Sequence, residues 1–248
     1  MVLRVGWHRE HFLSPLLQLH AAKGGFDLVE CPGGTGDMQA KLKAGEIDIC
    51  IGVAVITGKD SKYEKIDDLK GAKLGISRLG RDGNPEDQPT FEVKGSFKPL
   101  RDSVNSGETS VFLWEWFTTK PYADSGEVRF IGSVYTPWPC WMLAASPSAD
   151  EQQVKDFLSA LGEYTTEFDS KDKRETENVA YVAKTFGQQE SDVKEWLSTV
   201  AWYHDLAKVE SKVVLDTLQI LEKAGVVKQP ESGWNVSDFV NEKVASIV

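Results

Sequence analysis

Within the first 51 residues the hydropathy pattern switches period repeatedly, and that switching constrains the fold more than any other feature of the chain. Val2 to Trp7 (VLRVGW) alternates as a strand does, and His8 to His20 then takes helical spacing, with Ser14 and Pro15 as an N-cap and first-turn pair. A second strand, Asp27 to Glu30, follows the Gly24–Gly25 break. The loop CPGGTG leads into a helix over Asp37 to Ala44 that Gly45 ends, and Ile47 to Ile51 forms a third strand. Strand, helix, strand, helix, strand in that rhythm implies parallel strands with right-handed crossovers. The expected fold is therefore α/β, with ligands gathering beyond the carboxyl ends of the strands.

The next stretch breaks the rhythm. IDICIG runs directly into VAVITG, yet two parallel strands of one sheet need a crossover of about a dozen residues or more between them. Either the two segments form one long bent strand or a crossover is missing at Gly52; the second is the favoured expectation. Further strands are expected at Lys73 to Ser77, Phe91 to Gly95, Ser110 to Trp116 and Val128 to Tyr135, with a short helix at Leu100 to Ser106. After Pro137, Trp138 and Pro139 the segment Trp141 to Ala145 reads as a return crossing. Helical patterns then fill 150–168, 175–185, 190–200, 211–224 and 237–247, forming a helical cap.

Charge excludes some partners. With 28 Lys and Arg against 38 Asp and Glu the formal charge is −10, a field that repels nucleic acid and anionic membrane. No apolar run reaches the roughly 20 residues that span a bilayer. The chain is expected to be cytoplasmic and without membrane insertion. Cys31, Cys50 and Cys140 are odd in number and widely spaced, fitting buried free thiols better than a disulfide framework or a metal site.

Four places carry candidate chemistry. The glycine loop lacks the GxxxxGK string of a phosphate loop, and Gly34 and Gly36 lack the third glycine of a dinucleotide fingerprint because residue 39 is Gln. What remains is a helix start whose N–H groups at Thr35, Gly36 and Asp37 suit an anionic oxygen, or else a tight turn in which Asp37 satisfies them. Trp7, His8 and His11 end the first strand. His8 and His11 form an HxxH pair, poor as a zinc signature without a third ligand, so no metal is expected, and a cleft-lining role beside the aromatic Trp7 is favoured over a solvent-facing one. Ser77 and Arg78 end a later strand and offer a hydroxyl beside a guanidinium fork. Trp114, Glu115 and Trp116 alternate on an expected strand, with Glu115 an acceptor for ring nitrogens if it faces the cleft. No catalytic set and no cofactor are expected, since GxSxG, HExxH and a paired Cys–His arrangement are all absent from the sequence.

Together the GGTGDMxxxLxxGEIDI run, the DLKGAKLGISRLG run and the SVFLWEWFTTKP segment resemble the bilobal type II periplasmic-binding-protein-like family. They are most similar to its sulfonate, nitrate and thiamine-pyrimidine-precursor binding group, including fungal cytosolic members. The resemblance implies two α/β lobes, the first built from 1–56 plus 142–248 and the second from 57–141, with a small ligand clamped between them. It implies contacts from Trp7, His8, Gly34, Thr35 and Gly36 on one side and Ser77, Arg78 and Glu115 on the other. Two departures matter. The clustered cysteine motif of the pyrimidine synthases is absent from this sequence, so a binder rather than an enzyme of thiamine-pyrimidine synthesis is expected. Segments that relatives carry near Gly52 and Gly80 are also absent. The implied function is a solute-binding-type protein for a small polar metabolite, pyrimidine-like or a small anion.

Overall fold

The architecture comes from a computed structural model that describes residues 2–50, 90–133, 141–223 and 227–248, together with the backbone of the strands at 55–58 and 73–76. The chain opens with β1 (Leu3–Trp7), a 3₁₀ turn over His11–Leu13, α1 (Ser14–Lys23), β2 (Phe26–Glu30), α2 (Thr35–Ala44) and β3 (Ile49–Cys50). Then come β4 (Val55–Gly58), β5 (Lys73–Ile76), β6 (Thr90–Val93), α3 (Phe97–Asn105), β7 (Val111–Leu113), α4 (Trp116–Asp124) and β8 (Val128–Arg129). β9 (Ala144–Ala145) leads into a helical tail of α5 (Glu151–Phe168), α6 (Lys171–Glu175), α7 (Glu177–Phe186) and α8 (Glu190–Thr199). The chain ends with β10 (Lys208–Val209), α9 (Ser211–Lys223) and β11 (Ser246–Ile247).

Two sheets share one plan. The first has the order β2-β1-β3-β9 and the second β6-β5-β7-β4-β8. In each, the first three strands of the unit are parallel in the order second, first, third. Next to the third lies an antiparallel strand that has just crossed from the other unit: β9 against β3, and β4 against β7. This bears on the reading of Gly52, a residue that itself lies outside the described ones. β3 and β4 lie in different sheets, so the direct run between them is a passage from one unit to the other and no crossover is needed. The premise that failed was that consecutive strands share a sheet. β4, which straddles the expected lobe boundary at 56 and 57, pairs wholly in the second sheet.

Alternation along β1 explains the first core. Leu3 and Val5 are buried with Ile49 of β3 under α1 and α5, where Leu16 and Leu19 meet Phe157, Leu158 and Leu161. A second core lies among α5, α7 and α8, where Phe168, Val179, Val182, Val193 and Trp196 enclose Phe117 of α4. The second sheet carries its own cluster of Leu100, Val104, Phe112 and Val128.

Two expected elements are corrected. Residues 114–116 are not a strand: β7 stops at Leu113, and Glu115 is the N-cap of α4, its carboxylate accepting from the Thr118 N–H at 2.6 Å. Tryptophan's strand preference disguised a cap that is not one of the favoured short polar residues. Residues 237–247 are not a helix either. A 3₁₀ turn over Val236–Asp238 precedes β11, which pairs in parallel with β10 and closes a small cluster around Val214, Leu218 and Val236.

Candidate functional site

The carboxyl ends of β1, β2 and β7 bring the first and second sheets together. β1 ends at Trp7, whose carbonyl accepts from the Cys31 N–H at 2.7 Å, so the loop leading to α2 is fastened beside the end of β1. Gly34 closes that loop as the N-cap of α2, with φ at 65°. A Cβ placed there would lie 3.8 Å from the Trp114 indole, and one on Gly33 would lie 3.5 Å from the Gly95 carbonyl. A left-handed backbone next to an aromatic face suits glycine.

The start of α2 keeps its donors. No side chain caps it, and the first helical bond runs from the Met38 N–H to the Gly34 carbonyl at 3.1 Å. Asp37 does not turn onto the helix start. Its carboxylate accepts from the Gly33 N–H at 3.4 Å and from Lys41 at 2.6 Å. The N–H groups of Thr35, Gly36 and Asp37 are thus without an intrahelical acceptor and carry the positive end of the helix dipole.

His8 and His11 are buried, at 6% and 1% exposure, which excludes the solvent-facing alternative. Phe117, Phe186 and Trp196, all distant in sequence, enclose the His11 ring, and Trp141 stacks over His8 with centroids 6.1 Å apart. His8 Nδ1 and Trp114 Nε1 are both buried without a hydrogen-bond partner. Glu115 approaches from the second sheet. Its Oε2 lies 3.4 Å from His11 Nε2. Burial pushes the Glu115 carboxyl upward, but His11 and the N–H groups of Thr118 and Phe117 outweigh burial and hold it below its ordinary value. The adjacent Cys31 thiol is pushed up to about 11, first by burial and then by Asp37.

Of the eight residues expected to line a site, Trp7, His8, Gly34, Thr35, Gly36 and Glu115 lie along this seam, whereas Ser77 and Arg78 lie outside the described residues. Sequence reasoning missed three that matter. Glu10, 3% exposed, accepts from Thr118 Oγ1 at 2.8 Å, and Gln188 donates to the Phe117 carbonyl at 3.1 Å. Glu10 was hinted at by its place inside HREH; Thr118 and Gln188 carry no local signal, because their partners are set by tertiary packing.

Comparison with known proteins locates this arrangement. Residues 53–134, which include every strand of the second sheet, match the family described as Ca3427-like PBP. Among solved structures the chain is similar to the CA3427 gene product of Candida albicans, described as exhibiting the generic periplasmic binding protein fold. The identity is 25% and the TM-score 0.79, over 94% of this chain and 92% of that one. It is also similar to the alkanesulfonate-binding protein SsuA of Xanthomonas axonopodis pv. citri bound to MOPS. There the identity is 14% and the TM-score 0.66, over 92% and 94% of the two chains. No curated protein matches the sequence.

Proposed function

From a chain with the generic periplasmic-binding-protein fold, whose two sheets meet at the carboxyl ends of their strands, we propose a solute-binding protein that clamps a small anionic metabolite between the sheets. The observation that carries this reading is the set of unspent polar groups on both sides of one seam. The first N–H groups of α2 have no side-chain cap, Gly34 before them lies beside Trp114 of the second-sheet unit, and Trp114 Nε1 and His8 Nδ1 are buried and unpaired. Buried polar groups without partners are uncommon in native proteins, and a bound ligand supplies the missing half. A sulfonate or carboxylate suits the helix start, while the edge of the Trp114 indole beside Gly34 suits an apolar remainder. The alkanesulfonate-binding relative makes a sulfonate head the first class to try.

The pyrimidine reading depends on Glu115 as a free acceptor. That carboxylate caps α4 and faces His11, so the anion is favoured. Thr35→Asp discriminates the two. Asp37 in the same turn is paired with Lys41, whereas an added acid at residue 35 carries an uncompensated charge that supports the helix but repels an anion at its start. Thermal melts with alkanesulfonates, dicarboxylates and aminopyrimidines test this, since a ligand at a hundredfold excess over Kd stabilises by about 2.7 kcal/mol. A sulfonate or carboxylate response lost in Thr35→Asp is expected. A pyrimidine response that survives in the variant would overturn the anionic reading.

A further inference from the structure

The loop after β1 supplies Glu10 and His11, the cap of α4 supplies Glu115, and one donor atom from each lies within 4.8 Å of the others. Three features set this cluster apart from ordinary polar packing. The first is charge. Glu10 is buried and Glu115 half-buried beside it, and among the described residues their ion pairs are with His8 and His11 alone, with no Lys or Arg. Buried like charges require a compensating cation or the uptake of protons.

The second is spacing. His11 Nε2 lies 3.4 Å from Glu115 Oε2, and His8 Nε2 lies 3.7 Å from Glu10 Oε1. Both exceed the about 2.7–2.9 Å of a charge-assisted hydrogen bond. The former is close to the edge of a tetrahedral zinc site, roughly 3.3 Å for metal–ligand bonds of about 2.0–2.1 Å. The third is the outer layer. Thr118 donates through its N–H to Glu115 at 2.6 Å and through Oγ1 to Glu10 at 2.8 Å, so a single residue orients both carboxylates.

We propose that Glu10, His11 and Glu115 bind one divalent transition-metal cation of the zinc type, pinning the loop after β1 to the start of α4. Two carboxylates cancel its charge, and the imidazole nitrogen favours zinc over magnesium or calcium, which prefer oxygen alone. Three protein ligands leave one coordination position open. Coordination through His11 Nε2 places the ring proton on Nδ1, which lies 3.4 Å from the Gln188 amide. Gln188 Oε1 is buried without a partner and receives that proton when the amide turns, at the expense of the bond to the Phe117 carbonyl. HxxH alone gave no third ligand; the fold delivers it from a distant cap. The site stands apart from the identity of the solute.

The test uses the full chain, stripped with chelator, dialysed and titrated with Co²⁺ and then Zn²⁺. One equivalent of Co²⁺ is expected to bind with the visible absorption of a tetrahedral centre, and Zn²⁺ is expected to displace it and raise the melting temperature. Glu10→Gln and Glu115→Gln are each expected to weaken binding by at least about tenfold, the lower bound seen on losing even an outer-layer partner. His11→Gln is expected to do the same, and if it fails to fold the two glutamine variants decide. Absence of saturable binding overturns the proposal. So does affinity in both glutamine variants unchanged from the parent's, which would place the cation elsewhere, for example at the exposed His204–Asp169 pair.

Discussion

Asp48 ties the start of β3 to β1 through a single partner. Its carboxylate accepts from the Arg4 N–H at 2.8 Å, from Nε at 3.1 Å and from the other guanidinium arm at 2.9 Å. The Arg4 guanidinium, through these hydrogen bonds, holds the Asp48 carboxyl below its ordinary value of 3.8 even though burial opposes it. A depressed folded pKa contributes stability that is complete above the unfolded value and is lost as pH falls through the folded one. Asp48→Asn is therefore expected to melt lower than the parent near neutral pH, and the gap is expected to close as pH falls below the ordinary value of 3.8. Urea melts at several pH values measure it, and a gap that stays constant with pH would rule out the ion pair as its cause. Cys31 and Cys50 make a second case. Burial raises both thiols, Cys31 to about 11, so neither is expected to react with iodoacetamide in the folded protein at mildly alkaline pH. Peptide mapping checks this, and prompt alkylation of Cys31 would contradict its burial. Cys31 and Cys50 were legible as buried thiols from number and spacing, whereas Cys140 lies outside the described residues. The histidines were not, because the residues that enclose His11 lie in α4, α7 and α8, far along the chain.

At the scale of elements, α4 shows how tertiary structure rewrites a local pattern. Pro121 lies inside the helix and cannot donate to the Phe117 carbonyl four residues earlier. Gln188, from the turn between α7 and α8, donates to that carbonyl instead at 3.1 Å. Gln188→Leu should leave the carbonyl unsatisfied and cost about 1–3 kcal/mol. In a Pro121→Ala background the restored N–H takes over, so the same change should cost distinctly less. Denaturant melts of the four proteins in this cycle give the coupling, and strict additivity would show that the two groups do not share the carbonyl. α5 has a comparable constraint. A Cβ on Gly162 would lie 2.7 Å from the His204 carbonyl, a backbone atom that cannot swing aside. Gly162→Ala is expected to destabilise by about 1–3 kcal/mol despite the better helix propensity of alanine, and a higher melting temperature would contradict that packing. Helices with apolar stripes could be read from sequence, such as α5, which Asp150 also caps, and α8. α4 could not, since its cap is glutamate, its interior holds proline, and its stabilising partners come from the tail.

For the whole molecule, Phe117 ties the second-sheet unit to the helical tail. It belongs by sequence to the second-sheet unit, yet its ring is buried among Phe168, Val182, Val193 and Trp196 of the tail that packs with the first sheet. Lys120 of α4 adds an ion pair to Asp192 of α8 at 3.3 Å. Separating α4 from α8 would expose that core, whereas the approach of Gly33 to Gly95 is made by loops with little apolar area behind it. Opening is therefore cheapest where α2 faces the β6–α3 turn, with the α4–α8 contact as the pivot. The α/β class was legible from the strand–helix rhythm of the first 51 residues, and the two lobes from the resemblance of the motif runs alone. The pivot was not, because it depends on which tail helix a second-sheet residue happens to reach. Spin labels at the exposed Lys43 of α2 and Lys98 of α3 should give a broad distance distribution that shortens when the solute binds. Labels at Asp124 of α4 and Glu195 of α8 should give one narrow distribution with or without it. Equal changes at both pairs would mean that the sheets separate as free bodies and that Phe117 does not hold them.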